Sequence, residues 1–215
     1  MSSFFDLDAP IWSWMNEIAD IIILSLLWWI CGCGIITIGA STTSVFYVLG
    51  KKVRKEQTYV VADFFKSFKQ NFKQSIPLTV VYVIAGVSCF LYGILVVDGI
   101  LNPERSSMLK FVIPLTVVIV FEFWNYSTYL WAVFSRFDMK TKALCKTSFV
   151  MTHKHLLTTL ANTLLLGIAV FLILKCPFLI IVAPGLIILG QSFLLQNLFS
   201  HYITSNEEVS HEDQV

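Results

Sequence analysis

The stretch SIPLTVVYVIAGVSCFLYGILVV, residues 75–97, contains no charged side chain. No other feature constrains the fold as strongly, because a helix needs about 20 apolar residues, at about 1.5 Å each, to cross a hydrocarbon layer. The run 76–97 meets that need, and so do 18–38, 111–134, 156–174 and 178–202. The expected fold is all-α: a polytopic integral membrane protein of five transmembrane helices. Pro77 falls in the opening turn of its helix, where proline is tolerated. Pro184 and Gly185 interrupt the last run and predict a kink or a half-helix there. The chain is 56% hydrophobic and only 13% charged, against about 25% charged in soluble domains.

The first twenty residues hold Asp6, Asp8, Glu17 and Asp20 but no Lys or Arg. A cleavable secretory signal begins with a basic segment, so the first apolar run is expected to stay as a membrane helix. The cysteines Cys31, Cys33, Cys89, Cys145 and Cys176 read as small buried apolar residues. Cys31-Gly-Cys33 lacks the C-x-x-C spacing of redox and zinc sites.

Cations set the orientation. Lys51, Lys52, Arg54, Lys55, Lys66, Lys69 and Lys73 lie between the first two runs, and Arg136, Lys140, Lys142, Lys146 and Lys154 between the third and fourth. The opposite side has Arg105, Lys110 and Lys175. By the positive-inside rule both basic segments face the cytoplasm, which with five spans puts the N-terminus outside and the C-terminus inside. The acidic tail, 203–215, carries little weight in that rule. A shift of 81 residues superposes Ser67 on Ser148, Phe68 on Phe149, Lys73 on Lys154 and Gly86 on Gly167. This is a weak parallel repeat, which shared composition could also produce.

Between the first two runs, DFFKSFKQNFKQ (63–74) sets rings and cations side by side. At 100° per residue Phe64, Phe65, Phe68 and Phe72 share one sector, with Lys66, Lys69 and Lys73 on its flank. The segment 60–75 is therefore an amphipathic helix. It either lies in the membrane interface, rings among acyl chains and ammonium groups at anionic headgroups, or packs its rings against the protein's own helices.

Glu122 lies near the middle of the third run, where a charged side chain costs at least about 2.5–3.5 kcal/mol. Asn125, Tyr126, Tyr129 and Arg136 share its helical face, and this polar stripe must meet protein or water. Gln191 matches Glu122 in depth; Asn162, Gln196 and Asn197 suit the more cytoplasmic part. The stripe is either a substrate, ion or proton site, or a set of hydrogen bonds fastening helices together. His153-Lys154-His155 offers two histidines without an acidic or thiol partner, so no metal site is expected. No phosphate loop, nucleophile elbow or zinc-protease motif occurs. No catalytic residue or cofactor is expected. The basic segments abut apolar spans, which makes anionic lipid, rather than nucleic acid, their expected partner.

The run from Met15 to Glu56, with Thr37-Ile-Gly39-Ala40-Ser41 after a Trp-rich helix, resembles the YesL family of bacterial membrane proteins, domain of unknown function 624. The segment Phe65 to Lys73 and the tail from Pro184 are similar to it as well. The family usually has a proline a few residues before the T-I-G turn, where this chain reads Cys33-Gly34-Ile35-Ile36. The first helix could therefore stop at Gly39, with 41–49 as a short interfacial helix, or continue as one long tilted helix. The resemblance implies a plasma-membrane protein of Gram-positive bacteria without an established biochemical activity. It further implies a non-enzymatic accessory or scaffold role beside a carbohydrate ABC importer, whose subunits would be its partners. The alternative is a small transporter or channel working through Glu122.

Overall fold

The first apolar run does not cross in one piece. In a computed structural model that describes residues 10–101 and 109–212, helix α1 (Pro10–Gly32) ends at Gly32. A single 3-10 turn at Ile35–Thr37 follows, and α2 (Ile38–Val53) starts at once. The Thr37 hydroxyl lies within hydrogen-bond reach of the Cys31 and Gly34 carbonyls and closes the turn. The two helices then run back along each other. Trp28 Nε1 donates to Thr42 Oγ1 at 3.0 Å, and Lys52 at the end of α2 pairs with Asp20 near the start of α1. Residues 18–38 are thus the outgoing limb, turn and first returning residue of a hairpin. The start of α1 lies on the side of the first basic segment, not opposite it, which corrects the layout expected from one crossing at 18–38.

The hairpin's second limb occupies the centre of the bundle. Helix α2 touches α1, α3, α4 and α7. Ten of its sixteen residues are buried, among them Gly39, Ala40, Ser41, Val45, Val48 and Leu49. It ends with Lys55 in the left-handed region (φ 59°), where the Lys55 and Glu56 amides bond back to the Lys52 and Lys51 carbonyls. That is the Schellman arrangement, built here on a lysine where glycine is usual.

Helix α3 (Val60–Leu101) joins the amphipathic segment and the span into one helix of 42 residues with Pro77 inside it. At about 1.5 Å per residue it far exceeds a bilayer of about 30 Å. Its first third bears exposed Lys66, Lys69 and Lys73, whereas 76–97 carries no charged side chain. Lys51 Nζ meets Asp63 Oδ2 at 2.9 Å, which fixes α2 and α3 as antiparallel neighbours. The chain continues through α4 (Leu109–Arg136), α5 (Thr141–Lys154), α6 (Leu156–Lys175), a 3-10 turn (Pro177–Ile181) and α7 (Ala183–Glu212). A break at His155 separates α5 from α6, and Thr159 Oγ1 reaches back across it to the Thr152 carbonyl.

Four helical segments are long and apolar enough to cross a membrane: Met15–Gly32, Val60–Asp98, Ile113–Arg136 and Leu156–Lys175. Their outward faces carry large exposed apolar side chains such as Val81, Phe90, Val117, Leu164 and Phe171. The chain is an all-helical multi-pass membrane protein, with no strand among the described residues. The expected fifth span, 178–202, is divided between the 3-10 turn and α7 and is not among those four. Gln191, Gln196 and Asn197 lower its hydropathy, and the two glutamines are spent on contacts inside the bundle, described below. Residues 213–215 of the tail, and Arg105, lie outside the described residues. None of the five cysteines is fully buried, and Cys33 and Cys176 are exposed.

Candidate functional site

The polar stripe of α4 is a set of helix fasteners. Asn125 has no exposed surface. Its amide donates to the Phe121 carbonyl and to Thr163 Oγ1 at 2.8 Å, and its oxygen accepts from Asn162 Nδ2 at 2.8 Å. The Tyr129 hydroxyl, also buried, stands 3.4 Å from Thr159 Oγ1. Both residues thereby join α4 to α6. Tyr126 is half-buried, its hydroxyl hydrogen-bonded to the Cys145 thiol of α5. In an apolar surround each such bond contributes about 0.6–2 kcal/mol, and together they set the register of three helices.

Gln191 is buried but does not meet Glu122. Its amide donates to Thr128 Oγ1 at 3.2 Å. Gln196 accepts from the Arg136 guanidinium and lies directly over Gly50, where a Cβ would leave it no room. Glu122 faces His153 instead, with 3.5 Å between Oε2 and Nε2 and both side chains more than 40% exposed. Residue spacing gave no hint of this pair, because His153 belongs to α5 and reaches Glu122 only through the crossing of two helices.

The phenylalanines of the amphipathic segment divide. Phe64 has no exposed surface and joins the core that holds Val45, Val48 and Leu49. Phe68 and Phe72 are half-buried and Phe65 is 40% exposed. The rings form a ladder, with centroids 6.1 Å apart for Phe64 and Phe68 and 5.5 Å for Phe68 and Phe72. Lys66, Lys69 and Lys73 all point outward. Gln74 Nε2 donates to the Met139 carbonyl, which brings the second basic segment beside the first.

At the foot of this helix Asp63 accepts from Lys51 Nζ and from the Tyr59 amide. Burial pushes the Asp63 carboxyl up, but those two bonds and the lysine's charge outweigh it and hold the group below its usual range. The hydrogen bond to Asp63 raises Lys51 in turn.

The turn residues Thr37, Gly39, Ala40 and Ser41 organise the centre. A Cβ on Gly39 would collide with Thr79 Oγ1 and the Trp131 ring, so glycine here is what lets α3 and α4 close on α2. Beside that contact a cleft of about 280 Å³ opens between α1, α2, α3, α4, the Pro177–Ile181 turn and α7. Trp28, Trp29, Trp124 and Trp131 stand in its wall, with Gln191 but without Glu122. Among the described residues no group of three or more His, Cys, Asp or Glu side chains could hold a metal ion.

Residues 21–92 match the model of a family described as "Protein of unknown function, DUF624". The match covers the T-I-G-A-S turn and the Phe/Lys segment and bears out the resemblance seen there: this part of the chain, from within α1 to within α3, is similar to DUF624, YesL-like proteins. No curated protein and no solved structure matches the chain.

Proposed function

We propose that the protein is a non-enzymatic accessory or scaffold of the bacterial plasma membrane, acting beside a carbohydrate ABC importer. Its basic end would lie on the cytoplasmic side against anionic lipid. One observation carries this reading. The polar side chains expected to serve transport are spent on one another: Asn125 on Asn162 and Thr163, Tyr129 on Thr159, Gln191 on Thr128. Such a stripe gives a rigid body rather than a permeation route. The importer is the partner that the family resemblance implies, and the outward basic residues Lys66, Lys69 and Lys73 supply a surface for lipid or for an importer subunit. On this reading the start of α1 and the far end of α7 share the cytoplasmic side, since Asp20 pairs with Lys52 and Gln196 with Arg136. Crosslinking in native membranes followed by purification should recover importer subunits. Recovery of the chain alone, across several crosslinker lengths, ends the proposal.

The second reading is a small transporter or channel, and the half-exposed Glu122–His153 pair favours it. Proteoliposomes decide it: solute or proton flux that vanishes in Glu122→Gln supports transport, and no flux from the unaltered protein rules it out.

A further inference from the structure

We propose that the tryptophan-lined cleft is a binding site for one hydrocarbon chain, the acyl tail of a lipid-like amphiphile, entering sideways from the bilayer. The chain has six tryptophans, and the cleft gathers four of them from α1 and α4. Its volume, about 280 Å³, approaches the lower end of small-molecule pockets, about 300–1,000 Å³.

The chemistry of the wall selects the occupant. Several of its polar groups already serve one another. Thr42 Oγ1 accepts from Trp28 Nε1 and donates to the Ile38 carbonyl. Thr128 Oγ1 donates to the Trp124 carbonyl and accepts from Gln191. The Ser127 and Tyr82 hydroxyls bond to each other. The Trp124 ring nitrogen has no partner, but it is buried out of reach. A sugar or other polyhydroxy ligand would have to surrender its hydration to a wall with few hydrogen bonds to give, a costly exchange. A methylene chain asks for none and gains close contact with rigid rings.

The rim indicates the way in. Trp29 and Ile180 are 43% and 50% exposed and stand at the edge of the cleft. The apolar surface continues from them to Ile30 on α1 and Ile181 beside the last turn, both exposed. That surface faces lipid in a membrane protein, so the opening meets acyl chains.

The test uses the full chain with Trp12→Phe and Trp14→Phe, which leaves the four cleft tryptophans as its only tryptophans, excited selectively at about 295 nm. Dibromostearic acid is titrated into the protein in maltoside micelles, and tryptophan quenching is followed. The expected result is a plateau at one molecule per chain, reversed by excess stearic acid and unaffected by free sugars. Ala183→Leu, placed in the wall where the native side chain is small and buried, should weaken the plateau affinity at least about tenfold. Should that variant not fold, Ile187→Phe fills the same wall and serves instead. Quenching that only tracks the mole fraction of quencher in the micelle, equally in both proteins, overturns the site. Displacement of the quencher by a sugar overturns the assignment of its ligand.

Discussion

Lys52, at the end of α2, pairs with Asp20, near the start of α1, although 32 residues separate them. The pair sets α1 and α2 as an antiparallel hairpin and brings the beginning of α1 to the basic end of the bundle. A consequence for topology can be measured. Single cysteines at Glu17 and at Lys55, in a background without the five native ones, should be labelled by an impermeant maleimide from the same side: both from the cytoplasm, neither from outside intact cells. Labelling of residue 17 alone from outside would falsify the hairpin.

The close approach at Gly39 leads to a second prediction. A side chain there meets Trp131 and Thr79, whereas a Cβ on Gly93 meets nothing within 4 Å. Gly39→Val should destabilise the detergent-solubilised protein by about 1–3 kcal/mol, the usual cost of overpacking, and Gly93→Ala should leave it unchanged or slightly firmer. Thermal melts of the two variants side by side provide the check. Equal melting temperatures would show that the centre of the bundle yields more readily than its contacts indicate.

The Lys51–Asp63 bond predicts a pH dependence. Asp63 titrates below its ordinary range in the folded protein, so its share of stability is full above the unfolded carboxyl value, near 3.8, and fades as pH falls through the lower folded value. Lys51 titrates above its ordinary 10.5, so its share is full below that value and fades as pH rises through the folded one. Asp63→Asn should cost about 1.5–3 kcal/mol at neutral pH, the range for hydrogen bonds to charged groups. It should also flatten both the acid and the alkaline limbs of a melting-temperature profile. A variant whose profile keeps both limbs at full height would detach the pair from stability.

Asn125 supplies the fourth prediction. It bonds to Asn162 and Thr163 of α6 within a buried contact. Asn125→Leu should destabilise by about 0.6–2 kcal/mol, since it strands the Asn162 amide in an apolar setting. Asn125→Leu combined with Asn162→Leu should recover part of that loss, because replacing both partners removes the stranded group. A double variant that is worse than the sum of the singles would contradict a pairwise fastener.

The lipid-facing helices were legible because their chemistry is dictated locally. Residues 76–97, 156–174 and the first half of 113–134 expose large apolar side chains outward, so hydrophobicity is demanded of them whatever their neighbours are. The first basic segment was equally plain, since cations collect on one side by charge alone. The partners in the polar stripe were not. Depth pointed Glu122 at Gln191, but the packing gives Glu122 to His153 and Gln191 to Thr128. A helix that is polar on one stripe announces that it needs partners without naming them, because the choice depends on how two axes cross.

What the sequence determined by itself is the solvent of this protein: apolar runs that water cannot hold and a cation excess on one side. Only the tertiary structure decided that Ile38–Val53 is the central helix. That stretch, with its glycines, serines and threonines, is not a candidate span. Four neighbouring helices surround it, and a helix shielded from lipid is selected for close approach rather than for hydrophobicity. Hydropathy reports contact with lipid, and so it passes over the helix on which the others are assembled.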